Sequence, residues 1–237
     1  MDNNNKVDDW AVTTNRYVAY IDIMGFKEMV LRSTHDEVYQ MMKKIEDVKK
    51  LNQNIEWTNA KRNLVKSTNY SDSIIIYSKD DSPQSLDSLI FTVSGITNDL
   101  FEEGIPHKGA IAFGTMTLDY DKSIFFGQPL IDAYLLEEEL YFYGVIIHAT
   151  AEKNINDKKQ DIPCILEYLC PLKNGSSKHL TIFPLFSDTD LSIESNKLSN
   201  KILEAIKHMR YKTSGHLRKY IDNTEAYLKK VIKEISE

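Results

Sequence analysis

Tyr17-Val-Ala-Tyr-Ile-Asp-Ile-Met24 is dense in β-branched and aromatic residues and apolar on both faces, the pattern of a short strand buried inside a sheet. Gly25-Phe26 ends it. Asp22 breaks the pattern, because a carboxylate in an apolar strand must find a cation or several donors or bear a large desolvation penalty.

Working outward, Thr34 and Glu37 have capping-box spacing, and Val38, Met41, Met42, Ile45 and Val48 recur at helical intervals, which predicts a helix over about 35–52. Strands are predicted around 62–69 and at Ser73-Ile-Ile-Ile-Tyr77, with Tyr70-Ser71-Asp72 at the join. Ser82-Pro83 opens a second helix with Leu86, Leu89, Ile90, Val93, Ile96 and Leu100 as its buried stripe, and Gly104 stops it. A strand follows at Lys108-Gly-Ala-Ile-Ala-Phe113, then a polar excursion at Asp119-Tyr-Asp-Lys122, then Ile124-Phe-Phe-Gly127. Pro129 starts a helix with Leu130, Ala133, Leu136 and Leu140 on one side. Val145–His148 and stretches near 165–170 and 180–186 read as strands, Lys173–Lys178 carries turn chemistry, and the pattern beyond Asp188 is helical to the end. This order predicts an α+β chain of ferredoxin-like type, an antiparallel sheet with helices on one face plus a C-terminal helical segment. The expected division is a domain over 1–190 and a helical extension over 191–237 that packs on the domain or on a dimer partner.

The chain has 237 residues, 42% hydrophobic and 27% charged, which excludes a disordered tail and a fibre. Cys164 and Cys170 are too few for a disulfide framework or a four-Cys zinc site, and no stretch approaches the roughly 18 apolar residues of a membrane helix. Neither a signal nor a transit peptide is expected, so the expected setting is cytoplasmic. The net charge of −6 divides into −11 over residues 1–194 and +5 over 195–237. An acidic body argues against a nucleic-acid binder, which displays a basic stripe toward phosphates.

Asp72, between Ser71 and Ser73 at the mouth of the predicted hairpin, is the second informative carboxylate. Two such groups side by side on adjacent strands repel one another, and a shared divalent metal explains their coexistence; taken singly, each is more often a turn former or a cap. Oxygen donors of this kind hold Mg²⁺ or Mn²⁺, with substrate phosphates completing the shell. The six His residues lack metal-ligand spacing, and Ser71 and Ser73 have no evident base partner, so a serine hydrolase has little support.

Tyr20-Ile-Asp-Ile-Met-Gly-Phe26 resembles the first-strand motif of the class III nucleotidyl cyclases, and Tyr70-Ser-Asp-Ser-Ile74 resembles their second metal-binding hairpin. Lys108-Gly-Ala-Ile-Ala-Phe-Gly114 and Phe126-Gly-Gln-Pro-Leu-Ile-Asp-Ala-Tyr-Leu-Leu-Glu137 are similar to the family's next strand and its later Gly-led helix start. The four blocks follow the family's order from residue 17 to about 148, and as variants they look most like the pyrimidine cyclases of the bacterial antiphage system called Pycsar. Where purine cyclases carry a transition-state Asn and Arg, this chain has Ile131 and Leu135, and Thr68 and Ile124 stand at the base-reading positions. Those departures speak against adenylate and guanylate cyclase activity and leave a different base or a dead cyclase.

The resemblance implies conversion of a pyrimidine nucleoside triphosphate, UTP first and CTP second, to the 3′,5′-cyclic monophosphate and diphosphate. It implies two Mn²⁺ or Mg²⁺ ions per site, held by Asp22, Asp72 and the Ile23 carbonyl; independently, exposed backbone N–H groups at the helix start after the strand, with Gly25 permitting close approach, make Gly25 and Phe26 the expected phosphate site. Tyr70 either narrows the pocket to a single-ring base or caps the core edge as an ordinary strand tyrosine. Lys108 either reaches the triphosphate or is a solvated lysine. A homodimer with sites at the subunit interface, and a separate effector activated by the product in antiphage defence, are also implied. The alternatives are a catalytically silent cyclase-like domain that binds a nucleotide or partner and a palm-type dinucleotide cyclase, the latter disfavoured because no Gly-Gly-Asp/Glu-Glu-Phe signature occurs. No nucleic-acid or membrane partner is expected.

Overall fold

The computed structural model describes residues 10–54, 64–156, 162, 164–184 and 194–236. The central strand is β1 (Thr13–Ile23), hydrogen-bonded on one side to β3 (Ser73–Ser78) and on the other to β4 (His107–Asp119). Around it the sheet runs β2 (Val65–Tyr70), β3, β1, β4, β6 (Gly144–Ile147), β8 (Gly175–Ile182), β7 (Ile165–Leu172), with β5 (Ile124–Gly127) added to the far end of β4. Neighbouring strands are antiparallel throughout, except that β4 and β6 run parallel.

The helices expected over 35–52, after Ser82 and at Pro129 form where the pattern placed them. Between β1 and β2 lie α1 (Phe26–Arg32) and α2 (His35–Asn54). The capping box is formed: Thr34 N–H donates to Glu37 Oε2 at 2.7 Å and Glu37 N–H to Thr34 Oγ1 at 3.3 Å. Ser82 caps α3 (Pro83–Glu102) by accepting from Ser85 N–H. All six apolar positions expected on its stripe are buried, and so are Thr92, Ser94, Gly95 and Thr97, so α3 is enclosed on nearly every side. The polar excursion closes the β4–β5 hairpin, with Lys122 N–H donating to Asp119 Oδ1 at 3.0 Å. β4 runs to Asp119, well past the expected Phe113, because its second half pairs with both β1 and β5. Residues 62–63 and 185–186 of the expected strands, and the start of the helical tail at 189–193, lie outside the described residues.

The α+β class and the helical tail are as expected, but the expected antiparallel sheet with helices on one face is corrected twice: the β4–β6 pair is parallel, and helices lie on both faces. The odd residues Tyr17, Ala19, Ile21 and Ile23 of β1 face the main core with α2 and α3, whereas α4 (Gln128–Glu139), on the crossover between parallel β4 and β6, lies on the opposite face. There Tyr134 sits edge-on to Tyr20 at 5.5 Å and Leu130 packs beside Val18. A short helix absent from the sequence reading, α5 (Ala149–Asn156), follows β6 and donates from Asn154 Nδ2 to the Tyr17 hydroxyl.

The tail forms α6 (Glu194–Lys212) and α7 (Arg218–Ser236), broken at Gly215, whose φ of +68° suits glycine. Ile202 and Ile206 of α6 and Tyr220, Ile221, Tyr227, Leu228 and Val231 of α7 are buried in the main core. Thr224 Oγ1 accepts from Tyr143 N–H at 2.7 Å, and Lys201 pairs with Glu102 across to α3. No helix among the described residues is long and apolar enough to cross a membrane.

β1 and β4 lie close at Gly109, where a Cβ would stand 2.6 Å from the Tyr20 carbonyl oxygen. Gly109→Ala is therefore expected to destabilise the fold by about 1–3 kcal/mol, measured by urea denaturation; an unchanged midpoint would show that the two strands can part there.

Candidate active site

The register of the sheet decides which side chains meet. Asp22 is opposite Ser73 on β3 and Lys108 on β4, and Ser73 is opposite Tyr70 on β2. Directly paired residues point to the same face, so Tyr70, Ser73, Asp22 and Lys108 form one row across four strands. Two residues along, Thr68, Ile75, Tyr20 and Ala110 form the next row on that face. It is the face on which α4 lies, and α4 covers its β1–β4 half.

Asp72 joins the row through the hairpin tip. Tyr70 and Ser73 pair, leaving Ser71 and Asp72 as a two-residue turn, and Ser71 takes a φ of +56°. Tight hairpins demand such a left-handed residue, a conformation strained for serine, and here it aims the chain next to a functional candidate. Ile23 N–H donates to the Asp72 carbonyl oxygen at 2.9 Å, which ties the hairpin tip to the end of β1. Tyr20 OH and Ser73 Oγ, 2.6 Å apart, brace the same corner.

The electrostatics follow from this crowding. Asp22 is pushed up to about 6, first by burial and second by the Asp72 charge, with Lys108 pulling the other way. The Tyr20 hydroxyl is pushed up to about 12, mainly by burial. Two carboxylates at one corner of the sheet would suit a hard divalent cation: Mg²⁺-type ions take one or two carboxylates and leave the remaining positions to water and substrate phosphates. Among the described residues no group of three or more His, Cys, Asp or Glu is placed to hold a metal. The residues fit an ion completed by substrate better than a cage built wholly of protein.

Lys108 is neither solvated nor extended toward open space. It is 6% exposed, its Nζ lies 2.8 Å from Glu137 Oε1, and it donates to the Glu137 main-chain oxygen at 3.0 Å. Glu137, itself 2% exposed, is pushed up to about 7 chiefly by burial, against the pull of Lys108. The sequence reading missed Glu137, although a signal was present. With Ala133 it occupies the buried side of α4, where Leu136 was expected, and an acidic residue on a buried stripe calls for a cation.

Tyr70 is 81% exposed and therefore does not cap the core edge. Gly25 has a φ of +80° and precedes the first turn of α1, so Phe26 opens that helix immediately beyond the Asp22 strand. Ile131 and Leu135 are exposed on the outer side of α4, and Ile124 and Phe126 on β5. Ile124 pairs with Asp119, at the opposite end of β4 from Lys108. At about 3.3 Å per residue that is roughly 35 Å from the Asp22 row, so one chain cannot bring Ile124 and Asp22 to the same nucleotide.

No family model and no curated protein matches the chain. Solved structures do match. A bacterial light-regulated adenylyl cyclase aligns over 83% of this chain and 98% of its own, with a TM-score of 0.51 and 12% identity. The chain shares the fold of that structure. A second structure of a bacterial light-regulated adenylyl cyclase aligns over 80% of this chain and 57% of its own, with a TM-score of 0.52 and 11% identity. At such identities the likeness is one of architecture.

The raised proton affinity of Asp22 sets a stability test. Between about pH 4, where an unfolded Asp titrates, and about 6 in the folded chain, the folded state holds a proton that the unfolded state has released. This group's contribution is therefore fullest below that window and is lost as pH rises through it. In metal-free buffer at pH 7.5, Asp22→Asn is expected to stabilise the fold by about 1–2 kcal/mol after allowance for solvent screening, with the gain vanishing below about pH 4. Denaturation at both pH values checks this, and a variant no more stable than the parent at pH 7.5 would contradict it.

Proposed function

We propose that the protein is a nucleotidyl cyclase that converts a pyrimidine nucleoside triphosphate, UTP first and CTP second, to the 3′,5′-cyclic monophosphate and diphosphate. The observation that carries the reading is the juxtaposition of Asp22 and Asp72 at tied strand ends, on an adenylyl cyclase fold. Asp22, Asp72 and the Ile23 carbonyl would hold two Mn²⁺ or Mg²⁺ ions, whose chemistry is to lower the pKa of the ribose 3′-hydroxyl and offset charge on the attacking and leaving oxygens. The 3′-oxygen would attack the α-phosphorus, giving up its proton to solvent, as the bond to diphosphate breaks. Gly25 and Phe26 would receive phosphates, with main-chain N–H groups at the entry of α1 and no Cβ at residue 25 to hinder approach.

Choice of base rests on β2. Tyr70 and Thr68 lie on the Asp22 face at the open half of the sheet, and the Thr68 hydroxyl lies 3.2 Å from that of Tyr77. A bulky phenol beside the row favours a single-ring base. The departures at Ile131 and Leu135, which cannot donate hydrogen bonds, are consistent with a base other than a purine.

A homodimer fits the same geometry. Asp22 and Ile124 stand too far apart to serve one nucleotide within a chain, and Ile124, Phe126, Ile131 and Leu135 are large apolar side chains left in water. A second copy would cover them and bring its α4 and β5 to the first copy's carboxylates. On this reading the cyclic nucleotide is a second messenger, made in the cytoplasm, for a separate effector in antiphage defence. The competing reading is a catalytically silent domain that binds a nucleotide or a partner; the apolar Ile131 and Leu135 favour it.

Incubating the purified protein with each of the four ribonucleoside triphosphates and Mn²⁺, with mass spectrometry of the products, separates the two. Cyclic UMP is expected, and Asp22→Ala and Asp72→Ala are each expected to lower its yield about 100-fold or more. No cyclic product from any triphosphate would sink the enzyme reading, and cyclic AMP or GMP would sink the pyrimidine assignment.

A further inference from the structure

Among the described residues the Lys108–Glu137 pair is the one strongly buried ion pair beside the candidate carboxylates, and it holds on α4 the ammonium that the resemblance would send to the triphosphate. Lys108 lies across the β1–β4 pair from Asp22, on the same face. Its ammonium is held at two points by Glu137, the carboxylate at 2.8 Å and the main-chain oxygen at 3.0 Å. Asp72 and Glu138 add further negative charge near Asp22. An unrestrained ammonium in this position would settle on Asp22, because a partly buried carboxylate draws the nearest cation. It would then occupy the oxygen lone pairs that a metal needs.

We infer that Glu137 is a positioning residue: it draws Lys108 onto α4, so that Lys108 moderates the charge at Asp22 from across the strand pair without occupying the metal's place. The inference rests on the metal role of Asp22 and Asp72 and assigns a task to residues outside the ligand set. The geometry makes α4 a participant, since the anchor on Lys108 includes the helix's own backbone. Residues that orient ligands from behind commonly change metal affinity by about 10–100-fold when altered.

The test is Mn²⁺ affinity of the nucleotide-free protein at pH 8, read by electron paramagnetic resonance of free Mn²⁺, with thermal denaturation to follow folding. Glu137→Gln leaves Lys108 charged with its carboxylate partner gone, and is expected to weaken Mn²⁺ binding about tenfold. The double variant Lys108→Met and Glu137→Met removes both charges and fills the space, a replacement that buried ion pairs often tolerate. It is expected to bind Mn²⁺ at least as tightly as the parent. A purely structural pair would not give these opposite responses. Unchanged affinity in Glu137→Gln, or a double variant weakened below the parent, overturns the inference. Should Glu137→Gln fail to fold, the double variant alone decides by the same criterion. A parent that binds Mn²⁺ no better than Asp22→Asn overturns the metal reading itself, and this inference with it.

Discussion

The register in which β1 lies between β3 and β4 is the constraint on which the site depends. It sets Ser73 on one side of Asp22 and Lys108 on the other, and the Ile23–Asp72 hydrogen bond then fixes the hairpin tip beside them. A slip of one residue in either pairing would turn Asp22 or its neighbours into the main core, where a carboxylate has no partner. The apolar odd residues of β1, buried against α2 and α3, make such a slip costly. Core packing on one face thus protects the polar arrangement on the other.

Much of this was legible in the sequence. Tyr17–Met24 read as a buried strand because both its faces are apolar, and Thr34 with Glu37 announced a helix start that depends on local hydrogen bonds alone. Ser82-Pro83 and Gly104 likewise bounded α3 correctly. These signals are local, and local chemistry decides them.

What was not legible is set by distant contacts. Position along α4 does not reveal that a crossover helix will lie on the face opposite α2 and α3. Without that placement, Lys108 read as a free cation and Glu137 as one acid in a run of three. The pairing of β1 with the second half of β4 lengthened a strand that looked six residues long, and α5 carried too short a pattern to stand out. The row of Tyr70, Ser73, Asp22 and Lys108 exists only through strand pairings, so the motifs gave its members and the sheet gave their neighbourhood.

The pairing of β1 with β4 also imposes an order of events. Ile23 meets His107 and Thr13 meets Thr117, partners 84 and 104 positions apart, whereas Asp22 meets Ser73 after only about half that length of chain. During synthesis the β1–β3 pair becomes available before Lys108 exists, and Glu137 arrives later still. The nascent chain therefore brings its two repelling carboxylates within reach of each other before the internal cation that tempers them, and closure of the longer loop to β4 carries an entropic cost somewhat above that of the β1–β3 pair. Completion of the sheet, rather than its first strands, is the step at which this corner of the molecule becomes electrostatically settled.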